Sequence, residues 1–391
     1  MKRRASRRRA RGGVLRGLLI VIVLALLAAI AAAIWFGSDY MRFRDVPLAI
    51  RGPNLTFEVA KGESFRGIVR DLRDARLSPA PPLYWRVLAE QLGVAGSLHA
   101  GEYALPPGIS ARRLLQDMAQ GRVLQRRVTL VEGWTIRQVR AALAAAPKLA
   151  QTGAQLSDAQ MMKQIGAGGQ APEGEFMPDT YDYVLGMSDM DLLARAHHAM
   201  QDFLDAQWAQ RDPSVPLQTS YQALILASIV EKETAQPNER PQIAGVFERR
   251  LKLGMKLETD PSVIYGMGAS YNGNIRKQDL ETDTPYNTYT RAGLPPTPIA
   301  LPGRAAITAV LHPAAGDALY FVARGDGSHV FAATLAEHNR NVAIYQLHRN
   351  PDTMPAPAAT THPVPAGSAG SKAHATRTKK KPRHPHHHSH P

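Results

Sequence analysis

The 391-residue chain contains no cysteine, and this absence removes several kinds of chemistry. Without thiols the protein has no disulfide, no cysteine nucleophile and no thiolate ligand for a metal. A thiol-free chain also avoids disulfide scrambling in an oxidising compartment. The absence of cysteine is therefore compatible with a location outside the cytoplasm, although it does not establish one.

The chain also lacks net charge once its two ends are set aside. The formal net charge is +14, but residues 1–16 hold eight Lys and Arg with no acid, and residues 371–391 hold six with no acid. Subtracting these fourteen from the 47 basic residues leaves 33, which equals the 33 acidic residues of the chain. A broad basic surface for DNA or RNA is thus absent, and we expect no nucleic-acid partner.

Residues 17–36 carry no charged side chain and consist mostly of Leu, Ile, Val and Ala. A helix of this length crosses ~30 Å of hydrocarbon. A cleaved signal peptide is the rival interpretation, but its apolar part would span only ~7–15 residues and end in a small-residue cleavage site. The segment ends instead with Trp35 and Phe36, which suit a membrane interface and favour an uncleaved single-pass anchor.

The basic residues 1–16 favour an N-terminus in the cytoplasm. Everything from about residue 38 onward is then expected on the extracytoplasmic side of the cytoplasmic (inner) membrane. Residues 37–50 are predicted to be a linker. At the other end, residues 349–391 are rich in Pro, His and Lys and are predicted to be a disordered tail. Its histidines could bind a transition metal, but a solvated tail is the simpler interpretation, and we assign no metal site.

Two segments that lie 71 residues apart share one pattern: residues 57–68 and 128–139. Each is predicted to be a strand, a turn at Gly62 or Gly133, a Ser or Thr N-cap and an amphipathic helix. Between them, residues 101–121 predict a further strand, turn and capped helix. The first unit resembles a LysM module, a small βααβ fold that binds N-acetylated glycan. Residues 51–125 are therefore either a LysM-like glycan-binding subdomain or a support that holds the following domain above the membrane.

The helix predicted over residues 220–234 carries the strongest catalytic candidate. It begins at Ser220, a good N-cap residue, and then continues with helical spacing. Glu233 continues the apolar face of this helix at i+7, whereas Glu231 points to nearly the opposite side. The other members of this face are Leu226, Ile229 and Val230. A carboxyl group on an apolar stripe is poorly solvated when charged, so its pKa should rise, as a proton donor requires.

Several motifs in residues 126–348 identify this region as the chemical part of the chain. A Thr-Asp-Pro cap at residues 259–261 precedes a helix, residues 286–289 read Tyr-Asn-Thr-Tyr, and a His-x-Phe motif begins at His329. Residues 319–322 and 329–332 predict a hairpin, and a last helix carries Glu-His-Asn at residues 337–339. We expect an α+β catalytic domain over residues 126–348.

Together with the blocks 227–234, 259–268 and 293–296, these motifs are similar to those of the YceG-like family of endolytic murein transglycosylases. The resemblance covers the chain from the membrane helix to about residue 348. It implies a lyase that cleaves the MurNAc–GlcNAc linkage within peptidoglycan strands to leave 1,6-anhydro-MurNAc ends. The implied reaction requires no cofactor. The resemblance also implies wall synthases as partners at sites of growth.

The family's catalytic position falls on Glu233, in agreement with the helical-face argument. Thr234 corresponds to a Ser that follows the catalytic Glu in lytic transglycosylases and is expected to orient the carboxyl. Substrate-binding candidates are Tyr286, Asn287, Tyr289 and His329, although Asn287 in a Pro-Tyr-Asn-Thr loop also suits a turn. His329 is a weaker candidate than these tyrosines, as are Glu173, Thr259 and Asp260, because helix caps and a histidine at the end of a strand explain them adequately.

Two other classes of protein remain to be compared with a lyase. In a non-catalytic wall-binding scaffold, the LysM-like part would bind glycan and Glu233 would be structural. An acid protease with paired carboxyl groups is disfavoured, because the acids near Glu233 are expected to face different directions. Analysis of glycan products separates a lyase from a scaffold.

Overall fold

The computed structural model describes residues 4–50, 52 and 54–348. Within them the chain is an α+β protein with three two-stranded antiparallel sheets and three clusters of buried hydrophobic residues. The predicted disordered tail, residues 349–391, lies outside the described residues, as do residues 1–3.

The first helix, α1, runs from Arg4 to Asp45 and is longer than expected. Its apolar side chains are exposed, with Leu24 at 60% and Trp35 at 68%. Among the described residues, Leu18–Asp45 is the one helical stretch that is long and apolar enough to span a membrane, judged by length and composition alone. Residues 37–45 of the predicted linker 37–50 continue this helix. They do so because Tyr40 and Phe43 pack against Tyr84 and Trp85 of the following unit.

The next unit, residues 46–119, is called the N-terminal unit. Its strands β1 and β2 pair antiparallel, with Phe57 opposite Tyr103, and two helices lie between them in the chain. Ser64 and Ser110 cap the helices that follow the strands. The order strand–helix–helix–strand is thus observed over the first four elements. The elements are β1 (Leu55–Val59), α2 (Phe65–Asp74), α3 (Pro82–Leu92), β2 (Gly101–Leu105) and α4 (Ala111–Ala119).

Residues 126–348 form the C-terminal unit, and its first part repeats the pattern of β1 and α2 as predicted. Gly62 and Gly133 both have positive φ, +79° and +75°, a turn geometry that glycine adopts without strain. Thr135 and Gln138 form a capping box at the start of α5. The elements of this part are β3 (Arg126–Thr129), α5 (Ile136–Ala145), α6 (Asp158–Gln164), β4 (Thr180–Tyr183) and α7 (Asp189–Ala209), and β3 pairs with β4.

The second part of the C-terminal unit surrounds helix α8, whose residues 223–230 are all buried. Its N-cap is Thr219 rather than the expected Ser220, because the Thr219 hydroxyl accepts from Gln222 N. The predicted hairpin is present, with Phe321 opposite Phe331. The elements are α8 (Ser220–Glu233), α9 (Arg240–Lys252), α10 (Asp260–Met267), α11 (Lys277–Glu281), α12 (Arg304–Leu311), β5 (Tyr320–Ala323), β6 (His329–Ala332) and α13 (Leu335–Tyr345).

Hydrogen bonds join the two parts of the C-terminal unit. Gly133 N donates to Leu301 O at 2.8 Å, and Leu301 N donates to Trp134 O at 2.7 Å. The side chain of Glu173 accepts from Ile136 N at 3.0 Å and from the Tyr265 hydroxyl at 3.0 Å. These bonds hold α10 and the loop before α12 against the first part, and so position the residues around the end of α8.

Candidate active site

A cavity of about 500 Å³ opens beside the C-terminal end of α8. One end of it is lined by three of the predicted site residues, Glu233, Tyr289 and His329, together with Asp260. These side chains come from four separate segments: the last residue of α8, the first turn of α10, the loop after α11 and the first residue of β6. The fold thus assembles residues that lie almost one hundred positions apart in the chain.

Glu233 is the last residue of α8 and is partly buried. Burial raises the pKa of Glu233 to about 7. A hydrogen bond from Thr259 and the charge of His329 oppose this rise, whereas the charge of Asp260 adds to it. The negative end of the helix dipole also disfavours a carboxylate at this position. A pKa raised by burial is what the sequence analysis expected for Glu233.

The hydrogen bond to Glu233 comes from Thr259, whose hydroxyl donates to Oε1. The sequence analysis named Thr259 as a weaker candidate that a helix cap would explain; Thr259 does occupy the N-cap position of α10, but its side chain makes no cap bond there. Pro261 contributes to the absence of this bond, because proline has no N–H to donate a hydrogen bond to a capping hydroxyl. Thr259 is itself fixed by a bond from its N–H to the Thr288 hydroxyl at 3.0 Å and by one from the Ser262 hydroxyl to its carbonyl at 2.8 Å.

Asp260 is a second carboxyl group in the same cavity. The Tyr289 hydroxyl donates to Asp260 Oδ1 at 2.6 Å. Burial, and then this hydrogen bond, raise the pKa of Tyr289, so its hydroxyl stays protonated. The expectation that the acids near Glu233 face different directions is therefore wrong for Asp260. It holds for Glu231, whose carboxylate pairs with Arg240 at 3.1 Å and accepts from Gly303 N at 2.9 Å.

His329 is held by Glu239, a residue that the sequence analysis did not identify. Glu239 Oε2 lies 2.7 Å from His329 Nδ1, and Oε1 accepts from His329 N at 2.8 Å. Burial would raise the pKa of Glu239, but the hydrogen bonds from His329 outweigh it and the pKa lies below its usual value. Glu239 ends a short 3₁₀ helix, Pro237–Glu239, where no periodic pattern marks it as a site residue.

Three predicted site residues do not line this cavity. Thr234 is buried, donates to Glu239 Oε2 at 3.4 Å and accepts from Gln236 N, so the expected contact with the Glu233 carboxyl is absent. The Tyr286 hydroxyl lies 2.8 Å from the Thr297 hydroxyl. Asn287 is 1% exposed, and its amide donates to backbone carbonyl groups at the end of α11, those of Asp279, Leu280 and the C-cap residue Thr282. Its alternative interpretation as a turn residue agrees with these contacts.

Glu173, one of the weaker candidates, also lies away from the cavity. It is 3% exposed, and burial raises its pKa to about 7, opposed by its hydrogen bonds from Ile136 and Tyr265. These bonds give it a structural role between α5 and α10. Among the described residues, no group of three or more His, Asp or Glu side chains has a geometry that could hold a metal ion.

The arrangement supports proton transfer by one carboxyl group. Glu233 has a pKa that suits a proton donor, the Thr259 hydroxyl donates to its carboxyl, and Asp260 lines the same cavity. Such a site can protonate a leaving oxygen and stabilise a positive charge that develops beside it.

Comparison with known proteins identifies a family model and several relatives that match this chain. The model of the YceG-like family matches residues 57–344. An endolytic murein transglycosylase of Bacillus subtilis (strain 168) is 32% identical over 284 residues, covering 66% of this chain and 75% of the relative. An endolytic murein transglycosylase of Streptococcus pneumoniae (serotype 2, strain D39) is 26% identical over 360 residues, or 83% of this chain. The alignment covers 64% of the Streptococcus relative, less than two thirds of its length.

The crystal structure of a yceG-like protein from Listeria monocytogenes is similar to this chain at 28% sequence identity and a TM-score of 0.47. The similarity covers 73% of this chain and 98% of the Listeria chain.

Proposed function

Because the chain belongs to the YceG-like family, we propose that it is an endolytic peptidoglycan transglycosylase that cleaves the MurNAc–GlcNAc linkage within glycan strands. The observation that carries this proposal is the partly buried Glu233 with a pKa of about 7, held by Thr259 at the end of the cavity. Two curated relatives bear the name endolytic murein transglycosylase.

The reaction begins when the protonated Glu233 gives its proton to the oxygen that links C1 of MurNAc to GlcNAc. The bond from C1 to that oxygen breaks, the GlcNAc end departs as an alcohol, and positive charge develops at C1. Ionised Glu233 then takes the proton from the C6 hydroxyl of the same MurNAc while O6 bonds to C1. The product is a 1,6-anhydro-MurNAc end, no water is consumed, and Glu233 is again protonated.

One carboxyl group is sufficient for this sequence of steps, whereas hydrolytic glycosidases generally use two. The substrate supplies its own nucleophile, and an intramolecular group has a high effective concentration. General acid–base action contributes ~10²–10⁴-fold, so positioning and charge stabilisation must supply the rest. Thr259 would supply positioning, and the charge of Asp260 would stabilise the developing cation. Tyr289 and His329 would bind the sugar as they line the cavity.

The test is product analysis by mass spectrometry after incubation of intact glycan strands with the full chain. The expected products end in 1,6-anhydro-MurNAc, and Glu233→Gln abolishes them while the exposed Glu281→Gln, a matched control, does not. Ends that are heavier by one water would identify a hydrolase. Anhydro ends that persist in the Glu233→Gln protein would contradict the proposed role of this residue.

A non-catalytic scaffold is the second candidate, and the βααβ order of the N-terminal unit favours it. In either case we propose that this unit is LysM-like and binds glycan. Photo-crosslinking of N-acetylated glycan oligomers should then label residues within 51–125, and labels confined to 126–348 would argue for a support role. Glycan binding without any cleavage product would favour the scaffold.

We also propose that α1 anchors the protein in the cytoplasmic membrane with residues 1–16 inside and the catalytic part outside. The exposed apolar side chains of α1 support this orientation only together with the basic N-terminus. Protease added to spheroplasts should digest the chain beyond residue 45, and full protection would contradict it. A wall synthase is the proposed protein partner, and a pull-down that recovers none would count against it.

A further inference from the structure

The cavity beside Glu233 extends well beyond the reacting carboxyl. Its far end is formed by β5 and by the last helix, α13. The whole space, about 500 Å³, lies within the range of ligand pockets and is larger than one sugar ring needs. The far end therefore has room for a sugar adjacent to the one that reacts.

One face of α13 is turned to this space. Its lining residues recur at i, i+3, i+4, i+7 and i+11, which places them on one side of a helix. They are Leu335, His338, Asn339, Val342 and Gln346. The face carries two aliphatic side chains, two amides and one imidazole, with Gln346 at the C-cap of α13, and Leu335 is 55% exposed. A helix face that is apolar and amide-bearing but uncharged is suited to a neutral, polar ligand.

The wall opposite the solvent is rigid. The rings of Tyr320 and His338 stack at 5.2 Å with an interplanar angle of 26°, and the Arg250 guanidinium lies 5.0 Å from the centre of the Tyr320 ring. Arg250 is itself fixed by hydrogen bonds to the carbonyl groups of Leu319, Lys256 and Leu257 and by an ion pair with Glu258 at 3.0 Å. Since the two rings cover a face of each other and Arg250 lies over Tyr320, only the outer surface of this stack can contact the apolar face of a pyranose.

Polar atoms on the same wall lack protein partners. His338 Nδ1 is buried without a hydrogen bond to the described residues, and within the same residues the amide groups of Asn339 and Gln346 make no side-chain hydrogen bond. Burial, and then the charge of Arg250, lower the pKa of His338, so the ring is neutral at pH 7. A buried polar atom without a partner is unusual in a folded protein and is often satisfied by a ligand or water.

We propose that this face of α13, with Tyr320, is a binding subsite for an N-acetylated sugar next to the bond that Glu233 cleaves. The proposal rests on the proposed function and names the part of the substrate that the far end takes. An N-acetyl sugar offers an apolar ring face for the outer surface of the Tyr320–His338 stack and an amide for Asn339. The anionic peptide stem fits less well, because the guanidinium of Arg250 is already occupied by protein acceptors.

The test measures binding, so that it does not depend on turnover. Full-length Glu233→Gln protein in nanodiscs is titrated calorimetrically with N-acetylglucosamine oligomers and with the same oligomers after de-N-acetylation. The N-terminal unit is proposed to bind the same oligomers, but it is identical in every variant, so the difference between parent and variant reports the subsite. Asn339→Ala and His338→Ala in this background should weaken binding of the acetylated probe by about tenfold, the loss expected for one hydrogen bond. Asn341→Ala, the same change on the same helix outside the cavity lining, should bind as the parent does.

Equal affinity of the Asn339→Ala protein and its parent would overturn the subsite, as would equal binding of the two probes. Asn339 is exposed, so its variant should fold normally, whereas the melting temperature of His338→Ala shows whether loss of the stack has unfolded α13. In catalytically intact protein, Asn339→Ala should raise KM more than it lowers kcat. If no anhydro product forms but the binding difference remains, the proposed reaction fails and the subsite stands.

Discussion

Glu102 in the N-terminal unit is buried and Glu233 in the C-terminal unit is partly buried, but the partners of the two carboxyl groups differ. Glu102 accepts three hydrogen bonds from Arg126 at 2.8–3.1 Å. Burial would raise its pKa, yet the hydrogen bonds from Arg126 and Thr56 outweigh it, and the pKa lies below its usual value. Glu233 has a threonine hydroxyl in place of an arginine, and burial raises its pKa to about 7.

Three other carboxyl groups of the C-terminal unit behave like Glu233. Burial raises the pKa of Glu173 and Glu175 to about 7 and that of Glu248 to about 8. Glu248 is 1% exposed, and its Oε1 has no partner among the described residues. In Glu102 the hydrogen bonds from an arginine and a threonine outweigh burial, whereas in these four groups burial outweighs the partners that are present, so the acid keeps its proton to higher pH.

The largest expected effect is a loss of stability as the pH rises from 5 to 8. With a pKa near 7 in the folded state, the native protein keeps a proton that the unfolded chain loses above about pH 4.5. Each such group therefore makes folding more favourable at pH 5, and this contribution to the unfolding free energy is lost as the pH rises through 7. Each of the three groups with a pKa of about 7 contributes about 3 kcal/mol to this change. Urea unfolding at the two pH values measures the difference.

Two buried histidines oppose this trend, because burial lowers the pKa of His197 and His338. Four carboxyl groups with large shifts should outweigh them. Glu248→Gln removes one of the four and should flatten the pH dependence of the unfolding free energy. A stability that is equal at pH 5 and pH 8 would contradict the difference between the two units.

The second effect concerns the N-terminal unit, where the pKa of the buried acid is lowered rather than raised. Glu102→Gln removes a buried charge from Arg126, whose side chain is 25% exposed, and should destabilise the protein at pH 7 by about 2 kcal/mol. The lowered pKa of Glu102 means that its contribution is present above its unfolded value and is lost as the pH falls through the folded one. Asp182→Asn, in an exposed pair with Arg127, is the control and should change stability little.

The third effect concerns the hydroxyl that holds Glu233. Thr259→Val should lower the cleavage rate by about tenfold, because the carboxyl loses the donor that orients it. The hydrogen bond from Thr259 opposes the rise in the pKa of Glu233, so its loss should also move the alkaline limb of the pH–rate profile to higher pH. Thr259→Ser keeps the donor and should restore both properties. A lower rate with an unmoved profile would indicate a merely structural role.

The smallest effect concerns a hydroxyl that caps a helix in the N-terminal unit. The Ser64 hydroxyl accepts from Gly67 N at 3.1 Å, which Thr259 does not do for its own helix. Ser64→Ala should lower the unfolding free energy by about 1 kcal/mol and leave the pH–rate profile unchanged. Thermal unfolding and kinetics on the same sample test both statements, and a shifted profile would mean that the two hydroxyls do not differ as described.

Local patterns in the sequence predicted much of the fold. The repeated strand, glycine turn and capped helix were predictable because each depends on residues within a few positions of one another. The position of Glu233 on the buried face of α8 was predictable for the same reason. The continuation of α1 to Asp45 was not, because it depends on packing against Tyr84 and Trp85.

The partners of Glu233 were harder to predict, because they depend on tertiary contacts. Thr259 follows Glu233 by 26 residues, and its role becomes visible only when the cap bond proves absent. The Thr-Asp-Pro sequence does contain a signal, since a proline at the second helical position removes a capping N–H. Glu239 and the face of α13 carry no such signal, because their contacts with the cavity depend on the β5–β6 hairpin.

The continuous α1 has a mechanical consequence. With α1 seated in the bilayer as proposed, the nine helical residues after Phe36 act as a stiff post of about 14 Å rather than a tether. Aromatic contacts with Tyr84 and Trp85 join the N-terminal unit to this post, so the unit would tilt and rotate together with the helix. The N-terminal unit would then stay close to the bilayer surface, at a distance set by the helix rather than by a flexible linker.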